Sequence, residues 1–199
     1  MIPLARGLRR RGFTPHRFDY PSRHGTVAEH AAALADWLDR RFPPEQTLYF
    51  VGHSLGGIVL RALAARRPER FAGRTVMLAT PNQGSAGGEW VARARLGRWW
   101  LGRAGRELAG SASPVLPVPP GAVGILVGTR RRWCTSWLLG GPNDGLVRVT
   151  ETSLPGAVMQ ALPLGHMGLM GWPPVPEATA HFLREGHFGG HGKPVGSLW

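Results

Sequence analysis

The sequence predicts an α/β protein: a mostly parallel sheet covered by helices on both faces. Three observations carry this expectation. Helical and strand-like segments alternate along the chain. The strand-like segments are continuous apolar runs, the pattern of strands buried on both faces. A chain of 199 residues with 43% hydrophobic composition suffices for one well-buried core and is short for two. A single domain over residues 1–199 is therefore expected, and no stretch has the polar, low-complexity character of a long linker. The nearest approach to a boundary is the proline-rich "GSASPVLPVPPG" at 110–121.

In chain order, "MIPLARGLRRRG" reads as a helix with Leu4 and Leu8 inward and Arg6, Arg9 and Arg10 in water, and it lacks the unbroken apolar core of a secretory signal. "FTPHRFDY" at 13–20 reads as a short strand. Thr26 followed by Glu29 forms a capping box, and Val27, Ala31, Leu34 and Leu38 recur at helical spacing up to Pro43 and Pro44. "TLYFV" at 47–51 is a buried-strand run, and helical character resumes from Ile58 until Pro68. "RTVMLAT" at 74–80, "GAVGILVGT" at 121–129 and "AVMQALPL" at 157–164 are three further strands. "PEATAHFLREG" closes the pattern as a helix with proline near its start and glycine at its end.

The formal charge of +12 would suit nucleic acid or an anionic surface. The charge is nearly all arginine, however, with Lys193 the one lysine, and it is spread over every segment. No nucleic-acid motif is present, so nucleic acid is not expected as a partner. No apolar run approaches the ~18 residues that span a bilayer. A cytoplasmic location is expected, with a signal peptide upstream of Met1 as the alternative. Cys134 stands alone, which excludes an intrachain disulfide, and the eight histidines are scattered without metal-ligand spacing.

Chemistry concentrates in "TLYFVGHSLGGIVLR". Gly52, Ser54 and Gly56 form G-x-S-x-G between a strand and a helix, the context in which this motif presents a nucleophilic serine on a strained turn. The following helix would aim its free N–H groups at a developing oxyanion, with Leu55 N–H as the natural donor. A serine hydroxyl needs a histidine base oriented by a carboxylate. In sheets of this kind such groups lie at the carboxyl ends of strands. His166, in "LPLGHMGLM" just past a strand, is the preferred base; His181 lies within the closing helix, and His187 and His191 fall in the glycine-rich tail. Asp144, in the turn "GGPNDGLV", is the preferred acid, with Glu151 as its rival. The order Ser54, Asp144, His166 is the nucleophile, acid, histidine order of one fold in particular.

The segments "YFVGHSLGGIVLR", "LATPNQGS", "NDGLVRVTETSLPGA" and "LPLGHMGLM" resemble those of α/β-hydrolases of the bacterial esterase and triacylglycerol-lipase type, and they occur in the same order, over most of residues 3–186. The resemblance implies Ser54 as nucleophile, Asp144 as acid and His166 as base in the cleavage of carboxylic esters of small molecules or lipids, without metal or organic cofactor. It also implies that residues 80–85 line the site entrance, so that His53, Thr80 and Pro81 border the substrate. Residues 86–120 are expected to form a cap carrying Trp99 and Trp100, which would hold an acyl chain, touch a membrane surface, or simply pack on the core. Two other outcomes stay open: acyl transfer to an alcohol, and an inactive hydrolase-like binding module. In the resembled family a strand ending in His-Gly precedes "PLARGLRRRGF" and supplies a second oxyanion donor. The given sequence begins after it, and Met1 is expected to be internal to a longer chain.

Overall fold

A computed structural model describes residues 1–93, 102–105, 116–130 and 139–198. Trp99, Trp100 and residues 131–137 lie outside the described residues. Helix α1 (Ile2–Arg9) buries Leu4 and Leu8 while its arginines face water. Helix α2 (Val27–Asp39) begins at a complete capping box: Glu29 N–H donates to Thr26 Oγ1 and Thr26 N–H donates to the Glu29 carboxylate. That pair holds the Glu29 carboxyl below its usual pKa, chiefly through the Thr26 N–H. Strand β1 (Phe50–His53) runs directly into α3 (Leu55–Arg66). Then come β2 (Thr75–Leu78), α4 (Ala86–Arg93), β3 (Val123–Gly128), β4 (Val158–Leu162), α5 (Val175–Glu185) and the two-residue β5 (Lys193–Pro194). Helix α5 ends where the sequence marks it, on Gly186 with φ 81°, which glycine adopts without a Cβ penalty.

Among the described residues the sheet has the order β1-β2-β3-β4-β5, with β1 to β4 parallel and β5 antiparallel to β4. Every residue of β2 and β3 is buried, as their unbroken apolar runs require. The two-residue period sends Val76, Leu78 and Leu126 to one face and Met77, Ile125 and Val127 to the other. Helices α1 and α5 close the first face through Leu4, Leu8, Val175 and Phe182. Gly124 has no side chain because the Phe182 ring occupies that space, 2.7 Å from where a Cβ would stand. Helices α2 and α3 form the layer around Phe50 and Phe71. No helix among the described residues is long and apolar enough to cross a membrane.

Two elements depart from the sequence expectation. Residues 13–20 are not a strand. Pro15 has no N–H to give a ladder, and the segment is held by side chains instead: Phe13 against Tyr49, His16 against Phe42, and Phe18 against Tyr20 and Trp37. The strand expected at 47–51 is shifted, because β1 takes up its register only at Phe50, whose N–H donates to Arg74 C=O, and then carries on through Gly52 and His53.

Candidate active site

Four parallel strands place their carboxyl ends on one rim, and each delivers a segment there. From β1 comes Ser54, with φ 52° and ψ −121°, a left-handed conformation that a non-glycine residue adopts only when its surroundings impose it. Ser54 N–H donates to Leu78 C=O at the end of β2, and Gly57 N–H donates back to Ser54 C=O. The turn is this tight because a Cβ on Gly52 would lie 2.7 Å from Gly57 N and one on Gly57 would lie 2.0 Å from Thr80 Oγ1. Leu55 begins α3, so its N–H belongs to the first turn, whose donors have no intrahelical acceptor.

From beyond β3 comes Asp144, only 2% exposed. Its Oδ1 accepts the N–H groups of Leu146 and Val147 at 2.9 and 2.8 Å, and its Oδ2 accepts from His166 Nδ1 at 2.7 Å. Asn143 locks the same turn, its side-chain oxygen accepting Gly145 N–H while its amide donates to Gly141 C=O. Gly128, the last residue of β3, lets this turn lie flush on the strand, for a Cβ there would fall 2.7 Å from Asp144 Cβ.

From beyond β4 comes His166, with a side chain 10% exposed, at the start of a 3-10 turn over His166–Met170. Its main-chain N–H donates to Asp144 C=O at 3.0 Å, so backbone and ring are both anchored to the aspartate. His53 reaches across from β1: its ring lies 4.7 Å from the His166 ring, and its Nε2 donates to His166 C=O at 3.0 Å. Burial, with smaller help from His166, lowers the His53 pKa to about 4. The structure thus brings His53, Asp144 and His166 together, with Ser54 adjoining His53 on the same rim.

The remaining residues singled out in the sequence stand as follows. Glu151 is buried and engaged elsewhere, with Oε1 accepting Ala86 N–H at the start of α4 and Oε2 accepting Arg148 N–H. His181, His187 and His191 form their own cluster, with ring separations of 4.8 and 5.9 Å from His181. Thr80 and Pro81 are buried, and the Thr80 side chain packs beneath α3 against Gly57. Among the described residues no group of three or more His, Cys, Asp or Glu is placed to hold a metal ion.

One residue of the framework escapes sequence reading. Arg61, in the middle of α3, is 2% exposed. It donates to Asn82 C=O, Pro117 C=O and Leu116 C=O, so three carbonyls surround the charge. Asn82, itself fully buried, donates to Thr152 C=O. Helical spacing alone would put an arginine in water.

The fold recurs in solved proteins. The mature form of lipase BlEst2 from Bacillus licheniformis matches with TM-score 0.62 and 18% identity, over 84% of this chain and 76% of that one. The chain has the α/β-hydrolase fold. A pyrethroid hydrolase from Sphingobium faniae JZ-2 shares it with TM-score 0.59 and 15% identity, over 92% of this chain and 91% of that one. Phospholipase PlaB from Legionella pneumophila does so with TM-score 0.59 and 16% identity, over 92% of this chain but 52% of that one. No family model and no curated protein matches the sequence.

Proposed function

We propose that this α/β-hydrolase-fold protein is a serine hydrolase that cleaves carboxylic esters through an acyl-enzyme. Ser54 Oγ attacks the ester carbonyl. His166 takes the serine proton on Nε2 and returns it to the departing alcohol, while Asp144 fixes the ring so that Nδ1 carries its proton and Nε2 stays free to accept. Leu55 N–H, at the positive end of α3, donates to the oxyanion of the tetrahedral intermediate. Water then repeats the sequence on the acyl-enzyme. The observation that carries this reading is the 2.7 Å bond between Asp144 Oδ2 and His166 Nδ1 on the rim where Ser54 holds its positive φ. The named activities of similar folds, a lipase and a phospholipase among them, support an ester or lipid substrate.

The experiment is labelling with a fluorophosphonate probe alongside turnover of short p-nitrophenyl esters. The native chain is expected to label and turn over. Ser54→Ala is expected to do neither while keeping its melting temperature, since only the attacking oxygen is lost. Ester turnover that survives Ser54→Ala would sink the assignment.

A further inference from the structure

His53 occupies a position that ester cleavage does not explain. It is the last residue of β1, directly before Ser54, and its side chain turns toward the base. The base loop hangs from β4, three strand spacings or about 14 Å across the sheet from β1. Two bonds hold His166 to the Asp144 turn, one from its main-chain N–H and one from its ring. A third joins it to the strand that carries the serine, and it comes from His53 Nε2.

Its chemistry is fixed by the acceptor. A carbonyl oxygen has no hydrogen, so the 3.0 Å contact requires the proton on His53 Nε2. Besides burial, four interactions bear on the ring's charge: the His166 ring and the α-amino group of Met1 disfavour a second proton, and the His166 carbonyl and Asp144 favour one. Burial is the largest of these influences and outweighs the two that favour a proton, so the ring is neutral near pH 7, with Nδ1 bare. Neutrality suits the site. During proton transfer His166 becomes a cation, and a second cation with its ring 4.7 Å away would oppose that step.

We infer that His53 is a positioning residue: by donating from Nε2 to the His166 carbonyl it sets the base against the nucleophile turn. This inference rests on the hydrolase reading above. Its test compares His53→Phe, which keeps a ring but no donor, with His53→Gln, whose amide nitrogen stands about where Nε2 stands. The readouts are kcat and KM on one p-nitrophenyl ester, the melting temperature, and the imidazole 15N signals of the native and Ser54→Ala proteins.

His53→Phe is expected to lower kcat by about tenfold to a hundredfold with little change in KM, the cost of a base displaced by a fraction of an ångström to an ångström. His53→Gln is expected to recover most of that loss. The nitrogen signals near pH 7 are expected to show His53 protonated on Nε2 alone. Native kcat in the Phe variant overturns the inference, and so does an equal loss in Phe and Gln that tracks melting temperature. The opposite tautomer overturns it without reference to activity. Because the tautomer is also read in Ser54→Ala protein, failure of the hydrolase reading and failure of the tie are separable.

Discussion

Asp144 and Glu151 are both buried acids in one short stretch, yet they face different groups. Asp144 meets an imidazole, whereas both oxygens of Glu151 are spent on backbone N–H groups. Asp144→Asn is therefore expected to cut kcat by roughly 10⁴, because an amide can present N–H to Nδ1 and favour the wrong tautomer of His166. Glu151→Gln is expected to leave kcat nearly intact and to cost about 1–2 kcal/mol of stability, since one of two oxygens is replaced by a donor facing a donor. Measuring kcat and urea unfolding on both variants checks the pair, and the reverse ranking would move the acid to Glu151. His53 carries a pH dependence with a definite sign. Its folded pKa of about 4 lies below the ordinary 6.5, so on acidification the unfolded chain takes up this proton first. Its contribution to stability is complete above the ordinary value and drains away as pH falls toward the folded one. His53→Gln has no such proton, so between about pH 7 and about pH 4 the stability difference is expected to shift in the variant's favour by on the order of 3 kcal/mol.

At the scale of elements, the junction of β1 with α3 is set by contact distance. A methyl group at Gly52 would press on Gly57 N and Gly56 C, backbone atoms that cannot swing aside. Gly52→Ala is expected to push α3 off β1, lowering the melting temperature and abolishing probe labelling together; normal labelling would show that the turn yields more easily than its contacts imply. This junction was legible in the sequence because glycine spacing, an apolar run and a helical pattern all point to one turn. The strands β2, β3 and β4 were legible for a similar reason, namely that apolar runs bounded by turn residues have few alternatives. Residues 13–20 were misread because aromatic spacing looks the same whether it serves a ladder or side-chain packing. Strand β5 left no signal at all, being two residues long with a proline. Of the site, chain order and loop position gave Asp144 and His166 as candidates. The contact between His53 and the His166 carbonyl joins residues distant in sequence, and no local pattern encodes it.

At the scale of the whole molecule, 24 basic residues face 12 acidic ones, so an arginine will often lack a carboxylate partner. Among the described residues Arg61 is a buried case. Its guanidinium joins α3 to Asn82 after β2 and to Leu116 and Pro117 before β3, fastening both ends of one long connection to that helix. Arg61→Leu would leave the buried Asn82 carbonyl unpaired and remove two further charged hydrogen bonds, and is expected to cost on the order of 3 kcal/mol in urea unfolding. Arg61→Lys is expected to recover little, since one ammonium cannot reach both segments in the planar fork geometry. Unchanged stability in Arg61→Leu would mean that water replaces the lost donors.

The arginine bias has a practical counterpart in β5. Lys193, exposed on that strand, is the chain's one lysine, and the strand order sets it four spacings, about 19 Å, from β1. Amine-directed coupling, with the α-amino group of Met1 blocked beforehand, has a single side chain to attack. The protein would be attached to a support or carry a dye at the sheet margin opposite Ser54, in one orientation.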